Sequence, residues 1–380
     1  MKTIIFFIMC IVVGFYFILN IRKKPSSNIN SIDAIVPAYN EELCIEQSLK
    51  SLVNNIYIHK VICVNDGSTD NTQILLNRLA LELPHKLIVV HQENTGKGGA
   101  LMNGLNYVTT AQVFLTDADT YVPPDKPGLG YMLVEIEKGA DAVGGIPSSN
   151  LNHAKLLPYI RATVKMPMII MKRTFQQWLG GAPFIISGSC GMFKTDVLRQ
   201  YGLSDRTKVE DLDLTWTLVS KGYKIRQANR CIVFPQECNS IKDEWKRWRR
   251  WISGYAVCMK LHKKLLFSRY GIFSILPMFL VIVYALYIYI TLLINTVASD
   301  HYFINLLLVL FPFLWVIVVF VIGIISAIYH KSWRLIILAP FALFYVVLAY
   351  LMWLIYGIKA LFTGVEPERD KPKRYKNVVE

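Results

Sequence analysis

The 380-residue sequence contains few charged residues, and acidic residues are the scarcer kind. Charged side chains make up 18% of the chain, whereas about 25% is usual in a soluble domain. There are 41 lysines and arginines against 27 aspartates and glutamates, which leaves a net charge of +14. The apolar fraction of 53% and the mean hydropathy of +0.37 exclude a disordered chain and argue against a soluble nucleic-acid-binding protein. An apolar and basic chain instead indicates a membrane protein with a cationic cytoplasmic side.

Cysteine is sparse, and its spacing follows no known framework. The seven cysteines include no CxxC pair, and the chain has no internal repeat and no low-complexity stretch. An odd, scattered set of cysteines argues against a disulfide-stabilised fold and against a zinc site. We therefore predict reduced thiols that are mostly packed inside the protein.

Four long apolar runs divide the chain, and they lie at residues 3–19, 271–294, 303–328 and 335–358. Each is near or above the roughly 20 residues that a helix needs to cross a bilayer. We predict an N-terminal membrane anchor at residues 1–24, because positive charge follows the first run and no small-residue cleavage site is present. We also predict membrane-spanning segments within residues 269–360. Three crossings there would export the basic tail at residues 361–380, against the positive-inside rule, so the topology at this end stays open.

Between these runs, residues 31–240 alternate short apolar stretches with helical patterns. Strands are predicted at residues 32–36, 60–64, 87–90 and 113–116, with helices at residues 43–52, 72–81, 98–108 and 125–138. Such alternation predicts an α/β domain with a largely parallel sheet covered on both faces. Ligands of these sheets bind at the carboxyl ends of the strands, and the unusual polar clusters of the sequence fall there.

Three of these clusters follow the first three strands, and two of them offer groups that suit a nucleotide. Residues 36–42 follow the first strand, and Asp66 ends the second, where its carboxylate can bond a ribose hydroxyl or a base edge. The alternative for Asp66 is a turn that caps the next helix. Glycines within residues 94–100 permit close backbone approach at a helix start, and Lys97 is available there for a phosphate.

Acidic side chains follow the fourth strand and recur much later in the chain. Asp117 and Asp119 offer two neighbouring carboxylates, which are costly to bury unless a cation or hydrogen bonds compensate them. Oxygen ligands select Mg²⁺ or Mn²⁺, which share coordination with phosphates. The alternative is a polar turn with solvated acids. Glu210 and Asp211 begin a helix, where an acid either complements the helix dipole or acts as a general base.

Residues 241–268 form an amphipathic region rich in tryptophan and arginine. Apolar side chains recur there at helical spacing, with cations between them: Trp245, Trp248, Ile252 and Tyr255. This pattern predicts an interfacial helix that lies on anionic lipid headgroups. Residues 156–178, with several lysines and arginines, predict a second membrane-surface helix.

In this order, the clusters resemble the membrane-bound family 2 glycosyltransferases of the GT-A fold. Residues 37–42 look like the first nucleotide-binding loop of that family, and Asp117-Ala118-Asp119 is similar to its DxD signature. Glu210-Asp211 is similar to the (T/V)ED motif, and residues 247–251 look like the QxxRW motif, with Arg247 in place of glutamine. Within the family, the layout most resembles bacterial poly-N-acetylglucosamine synthases, with hyaluronan, chitin and cellulose synthases more distant.

The resemblance implies a role for each candidate site residue. The nucleotide-sugar donor would be bound by Pro37, Tyr39, Glu41, Asp66, Lys97, Asp117, Arg247 and Arg250. Asp119, helped by Asp117, would hold Mg²⁺ or Mn²⁺. Asp211 would be the general base, beside Glu210. The acceptor sugar would contact Trp251 and the small-residue loop that contains Gly188, Ser189 and Cys190.

The resemblance further implies a processive, inverting glycosyltransferase with a GT-A domain at residues 31–240. It would polymerise a UDP-linked sugar, N-acetylglucosamine above all, into an exopolysaccharide at the plasma membrane, with the catalytic domain in the cytoplasm. The growing polysaccharide or a lipid acceptor, membrane lipids and an accessory membrane subunit are the partners to consider, and no nucleic acid is expected. Two alternatives stay open: a non-processive enzyme that adds one sugar to a lipid carrier or glycolipid, and a catalytically silent membrane scaffold.

Overall fold

The computed structural model describes residues 25, 27–28, 31–204, 206–277, 287, 317–367 and 372–375. The predicted anchor at residues 1–24 lies outside the described residues. So do most of the apolar run at residues 271–294 and the first part of the run at residues 303–328.

The first half of the domain is a parallel sheet with a helix after each of its first three strands. Its strands are β1 (Ile32–Ala38), β2 (Ile58–Asp66), β3 (Leu87–Gln92) and β4 (Gln112–Leu115), in the order β3-β2-β1-β4. The helices between them are α1 (Ile45–Val53), α2 (Thr72–Glu82) and α3 (Gly96–Leu105). The predicted alternation is confirmed here, and the carboxyl ends of β1, β2 and β4 meet at one edge.

The second half of the domain makes the sheet mixed. Its elements are β5 (Thr120–Tyr121), α4 (Gly128–Glu137), β6 (Ala142–Pro147), α5 (Leu156–Phe175), β7 (Gly191–Lys194), α6 (Thr195–Tyr201), α7 (Glu210–Ser220), β8 (Ile225–Pro235) and α8 (Ile241–Leu261). The eight strands run in the order β3-β2-β1-β4-β7-β6-β8-β5. Strand β7 pairs antiparallel with both β4 and β6. The loop before β7 therefore returns to the same edge that carries the polar clusters.

Alternate residues of the strands face two separate apolar layers. Along β1, Ala34 and Val36 pack into one layer, whereas Ile35 packs into the other with Ile62 and Val64 of β2. This explains why the first strands read as continuous apolar runs, since both faces of the sheet are covered. The six cysteines among the described residues are free and buried.

The described C-terminal region is largely helical between residues 317 and 363. It comprises α9 (Ile317–His330), α10 (Arg334–Ile337) and a longer stretch, α11 (Ala339–Thr363), which includes tighter and wider helical turns. Within the described residues, α11 is the one helix long and apolar enough to cross a membrane, which by itself is a weak indication. The membrane segments predicted within residues 269–360 therefore stay a prediction.

Helix α5 occupies a different environment from the membrane surface that its cationic residues predict. Ala162 and Met166 are buried, and the guanidinium groups of Arg161 and Arg173 lie inside the protein. Met166 packs with Ile146 of β6 and Ile232 of β8. The helix is thus a layer of the folded domain, since its cations find partners in other elements.

Candidate active site

The loops after β1 and β2 are hydrogen-bonded to each other. Asn40 lies in the left-handed backbone region, at φ 52°. Its side-chain oxygen Oδ1 accepts a hydrogen bond from the backbone amide of Thr69 at 2.7 Å, and its backbone amide donates to Ser68 Oγ at 3.0 Å. The amide of Glu41 donates to Thr72 Oγ1 at 2.8 Å. These bonds join the two predicted nucleotide-binding loops at the sheet edge.

Asp66 lies at the last position of β2 and is buried. Its Oδ1 atom accepts hydrogen bonds from the amide of Thr95 and from Gln92 Nε2, both at 2.8 Å. The next residue, Gly67, has φ +70°, and a Cβ there would lie 2.9 Å from the backbone nitrogen of Asn94. Glycine is therefore required where the β2 turn meets the loop before α3. Asp66 is held at the strand end, with its carboxylate facing that loop.

Lys97, in the first turn of α3, joins carboxylates from two other elements. Its Nζ atom lies 2.5 Å from Asp117 Oδ1 and 3.5 Å from Glu210 Oε1. The fold thus brings together the glycine-rich loop, the first DxD aspartate and the start of α7. A lysine at this junction supplies positive charge where the resemblance places a diphosphate.

Asp211, in the first turn of α7, accepts a hydrogen bond from the Gly188 amide at 2.9 Å. Burial raises its pKa, and the neighbouring Glu210 raises it further, while Lys97 opposes the shift. A Cβ at position 188 would lie 2.8 Å from Lys97 Nζ and 3.4 Å from Asp211 Oδ2. The glycine therefore lets the loop before β7 approach the carboxylate and the lysine together.

Asp119 is the most deeply buried carboxylate of the DxD pair. Burial raises its pKa to about 6; Arg374 opposes this shift, and the carboxylates of Asp117 and Glu41 add to it. Arg374 Nη1 lies 2.5 Å from Asp119 Oδ2, and the same guanidinium binds both oxygens of Glu41 at 2.9 Å. The basic tail thus reaches the acidic edge of the sheet.

The donor set at Asp119 fits a hard divalent cation. Its groups are carboxylates, and they hold a positive guanidinium in this structure. Among the described residues, no three or more His, Cys, Asp or Glu side chains are grouped to hold a metal ion by themselves. A cation bound at Asp119 would therefore need further oxygens from its ligand, as Mg²⁺ and Mn²⁺ take them from a diphosphate.

The loop predicted to contact the acceptor lies beside Asp211, and the side chain of its Cys190 is directed into the core. The backbone carbonyl of Ser189 accepts a hydrogen bond from Thr116 Oγ1 at 2.9 Å. Cys190 is fully buried, with its sulfur 3.8 Å from that of Cys231 in the core. Only the backbone of Cys190 is therefore available to a ligand, alongside Gly188 and Ser189.

The residues of the QxxRW-like motif lie on α8, within a buried set of charges. Arg247 pairs with the carboxylates of Glu237 and Glu244, and Arg161 of α5 pairs with the same two. The guanidinium groups of Arg161 and Arg247 both lie over the ring of Trp251, each 5.3 Å from its centroid. Arg247 and Trp251 are thus brought together, and both are engaged by protein groups.

Three of the remaining predicted residues are Pro37, Tyr39 and Arg250, and their positions in the fold are as follows. Pro37 is in β1, opposite Val64 of β2, and Tyr39 is exposed just beyond the strand end. Arg250 is half-buried on α8, one position before Trp251. Pro37 and Tyr39 therefore lie next to the hydrogen-bonded loops that follow β1 and β2, whereas Arg250 lies on α8.

The sequence is similar to those of known proteins over its whole length. The profile described as "Glycosyl transferase family 2" matches residues 33–202. A protein of Escherichia coli (strain K12), named "Uncharacterized glycosyltransferase YaiP", is 63% identical over 382 aligned residues, which cover 100% of this chain and 95% of that protein. The chain belongs to glycosyltransferase family 2. Membership of family 2, which the order of the motifs predicted, is confirmed, and this family 2 glycosyltransferase is an enzyme.

Two more distant likenesses concern a relative and the fold. The glycosyltransferase is 31% identical to the poly-beta-1,6-N-acetyl-D-glucosamine synthase of Staphylococcus aureus (strain COL), over 63% of this chain and 60% of that protein. Its structure is similar to the mannosyltransferase PcManGT from Pyrobaculum calidifontis, solved in complex with GDP-Man and Mn²⁺. That match has a TM-score of 0.51 and 20% identity, and it covers 67% of this chain and 72% of the other. It supports the predicted α/β, GT-A-like fold.

Four charged residues of the glycosyltransferase that contact predicted site residues were not predicted as site residues: Arg161, Glu237, Glu244 and Arg374. Glu237 follows β8 by two positions, so the strand-end rule that identified Asp66 applies to it as well. Arg161 stood out in the sequence only as part of a cationic helix. Arg374 lies in a basic tail with no local pattern, so only the folded chain shows its contact with Asp119.

Proposed function

We propose that this glycosyltransferase is processive and inverting, and that it transfers N-acetylglucosamine from a UDP-linked donor to a growing polysaccharide at the plasma membrane. The observation that carries the proposal is the position of Asp211. Its carboxylate has a raised pKa, bonds the acceptor-side loop through Gly188, and lies beside the Lys97–Asp117 pair. The proposed base would therefore act close to the proposed donor-side cluster.

The donor would lie along the edge formed by β1, β2 and β4. Asp66, fixed by the Thr95 amide, would bond the nucleoside, and the loops joined through Asn40 would border it. Lys97 would face the diphosphate, because it already gathers carboxylates from two elements and can exchange one for a phosphate oxygen. The exposed ring of Tyr39 would lie at the rim of this site.

Asp119, with Asp117, would hold Mg²⁺ or Mn²⁺. When bound, the cation would supply Lewis-acid stabilisation of charge on the diphosphate leaving group. The environment of Asp119 supports a doubly charged ion at this position. Burial leaves the Asp119 carboxylate short of solvent, and Asp117 and Glu41 add negative charge beside it.

Asp211 would take the proton from the acceptor hydroxyl while that oxygen attacks the anomeric carbon, and the sugar–diphosphate bond would break with inversion. A carboxylate with a raised pKa accepts a proton more readily than an ordinary aspartate. The amide of Gly188 orients one oxygen of the carboxylate, while Glu210 supplies the adjacent negative charge.

Two observations support the acceptor and the membrane setting. The relative from Staphylococcus aureus is named as a synthase of poly-beta-1,6-N-acetyl-D-glucosamine, which favours that sugar. Large apolar side chains are exposed on and beside the C-terminal helices, including Phe362 at 83% and Trp333 at 68%. Exposed apolar surface of this kind suits contact with lipid.

A second candidate is a non-processive transferase that adds one sugar to a lipid carrier. The observation that favours it is the environment of Trp251. Its ring is already covered by the guanidinium groups of Arg161 and Arg247, so stacking on a polymer would require their displacement. Product length decides between the two.

The test offers the purified full chain in lipid nanodiscs several labelled UDP-sugars and follows the products by mass spectrometry. We expect a ladder of N-acetylglucosamine polymers that EDTA abolishes and Mn²⁺ or Mg²⁺ restores. A product with one added sugar would establish the second candidate. Transfer that EDTA leaves unchanged would contradict the cation assignment at Asp119. Absence of both transfer and donor hydrolysis with every sugar would favour the silent scaffold.

A further inference from the structure

The C-terminal segment after α11 returns to the active site at two separate points. One contact is made by Glu366, close to the end of the helix, and the other by Arg374 and Tyr375. One contact is made to the residues that precede Asp211, and the other is made at Asp119. We call the described residues of this segment, 364–367 and 372–375, the C-terminal strap.

The first contact holds the near end of the strap against Thr207 and Lys208, which precede α7. Glu366 accepts a hydrogen bond from Thr207 Oγ1 and another from the Lys208 amide, both at 2.6 Å. The loop that supplies these donors leads directly into Glu210 and Asp211. The position of the near end of the strap is therefore tied to that of the proposed base.

The second contact places a cation among the donor-side carboxylates. The Arg374 guanidinium binds Glu41 through Nε and Nη2 at 2.9 Å each, and its Nη1 lies 2.5 Å from Asp119 Oδ2. The next residue is fixed as well, since the Tyr375 carbonyl accepts from Gln236 Nε2 at 2.7 Å and its amide donates to Gln236 Oε1 at 3.3 Å. Bidentate pairing of this kind is specific for arginine and orients the side chain.

Arg374 engages Asp119 Oδ2, one of the two carboxylate oxygens that a divalent cation at Asp119 would have available. A guanidinium and a metal ion cannot bind one oxygen at the same site, because both carry positive charge and occupy the same space. The Arg374 side chain is only 17% exposed, so it lies within the site rather than over it. Binding of a cation and departure of Arg374 are therefore coupled.

We propose that the C-terminal strap is an internal competitor for the cation and diphosphate site. This inference rests on the proposed function, since it takes Asp119 as a cation ligand. In the donor-free enzyme, Arg374 neutralises Asp119 and Glu41. When a nucleotide arrives with its cation, Arg374 leaves, while Glu366 keeps the strap close and ready to return. Tethering of this kind maintains a high local concentration of the competing group.

The test measures Mn²⁺ binding to the full chain in nanodiscs, with UDP present, by electron paramagnetic resonance. Arg374→Ala removes the competitor, and Lys373→Ala, at an exposed neighbour of the same charge, is the matched control. We expect Arg374→Ala to bind Mn²⁺ at least about tenfold more tightly than the unaltered enzyme, as follows if the strap occupies the site about nine-tenths of the time. Lys373→Ala should bind as the unaltered enzyme does.

A second readout follows the strap directly in the unaltered enzyme. Trypsin can cleave after Arg374 only when that side chain is out of the site, and mass spectrometry detects the cut. We expect Mn²⁺ with UDP to accelerate this cleavage, and UDP with EDTA to leave it slow. A cleavage rate that is the same with and without Mn²⁺ and UDP would contradict the proposal.

Two outcomes of the binding measurement would overturn the competitor role alone. Equal Mn²⁺ affinity in Arg374→Ala and the unaltered enzyme would show that the strap does not compete. Weaker affinity in Arg374→Ala would show that the arginine helps to hold the nucleotide. Absence of Mn²⁺ binding in every variant would instead overturn the cation site of the proposed function, and the competitor role with it.

Discussion

Two clusters of charged side chains in this glycosyltransferase differ in how their charges are balanced. The strand-end cluster contains Glu41, Asp117, Asp119, Glu210 and Asp211, with Lys97 and Arg374 as its cations. The α5–α8 cluster contains Glu237 and Glu244, with Arg161, Lys165 and Arg247 as its cations. Acids are in excess in the first cluster, whereas cations are in excess in the second.

The pKa shifts of Asp119, Asp211 and Glu237 follow this difference, whereas burial keeps the pKa of Glu244 raised although Arg161 opposes it. Burial and neighbouring acids raise the pKa of Asp119 to about 6, and burial together with Glu210 raises that of Asp211. Burial would also raise the pKa of Glu237, but Arg161 and Lys165 bring it below the ordinary value. A cluster with more acids than cations can take up a cation or a proton. A cluster whose acids are all paired with cations instead holds the helices and strands that carry them together. We therefore assign chemistry to the strand-end cluster and structural support to the α5–α8 cluster.

The largest effect is expected from the proposed base. Asp211→Asn keeps the shape of the side chain but cannot accept the proton, so transfer should fall by about 10²–10⁴-fold. Binding of UDP with Mn²⁺ should stay within about twofold, because the donor-side carboxylates are unchanged. Steady-state transfer and nucleotide binding measure the two effects.

The matched control for the base is Asp196→Asn, at an exposed aspartate in the first turn of α6. Its transfer rate should equal that of the unaltered enzyme. Near-normal turnover in Asp211→Asn would remove that residue as the base and the strand-end cluster as the site of proton transfer.

In the α5–α8 cluster, the main effect should be on stability. Arg161→Ala leaves Glu237 and Glu244 with less positive charge inside the protein, which should lower the free energy of unfolding by about 3–5 kcal/mol. Urea unfolding of the full chain measures the loss. Lys221→Ala, at an exposed lysine, should change the same quantity by less than about 0.5 kcal/mol.

A double substitution sharpens this prediction. Glu244→Gln removes one of the acids that Arg161 neutralises, so the pair Arg161→Ala and Glu244→Gln should be more stable than Arg161→Ala alone. Losses that simply add would mean that the two side chains act independently, and the structural role of the cluster would need another explanation.

A third prediction compares two aspartates on one helix. Asp213, on α7 like Asp211, accepts hydrogen bonds from His262 at 2.6 Å and from Arg206 at 2.7 Å. Burial alone would raise its pKa, but these partners lower it from 3.8 to about 2. Its contribution to stability is therefore present above pH 4 and is lost as the pH falls towards 2, by about 2 kcal/mol.

Urea unfolding at pH 4 and at pH 2.5 tests this contribution. The unaltered enzyme and Asp196→Asn should both lose it on acidification, whereas Asp213→Asn should lack that part of the pH dependence. An equal loss in Asp213→Asn would show that other groups cause the acid sensitivity.

The smallest effect concerns the approach of the acceptor-side loop. Gly188→Ala places a Cβ about 2.8 Å from Lys97 Nζ, and the end of that flexible side chain must move. We expect about tenfold slower transfer with an intact fold, because a small misplacement of reacting groups lowers the rate. Gly128→Ala is the control, since its Cβ would meet nothing closer than 3.7 Å. Unchanged transfer in Gly188→Ala would show that the loop tolerates a side chain.

Much of the fold was predictable because it depends on local pattern. Strands that are buried on both faces appear in the sequence as apolar runs. The succession of β1 to β4 along the chain, with the helices between them, therefore follows from residues close in sequence. The antiparallel β7 was not predictable in this way. It has only four residues, and its direction depends on β4 and β6, which lie far away in the chain.

The sequence by itself determined that acidic and polar residues end the strands, and therefore that Asp66, Asp117 and Asp119 share one edge, since parallel strands present their carboxyl ends together. Only the tertiary structure decided which cation each carboxylate meets. Arg374 reaches Asp119 from the far end of the chain, and Arg161 reaches Glu244 from another helix. The energy of an ion pair depends on distance and burial in space, and local sequence patterns do not encode either of them.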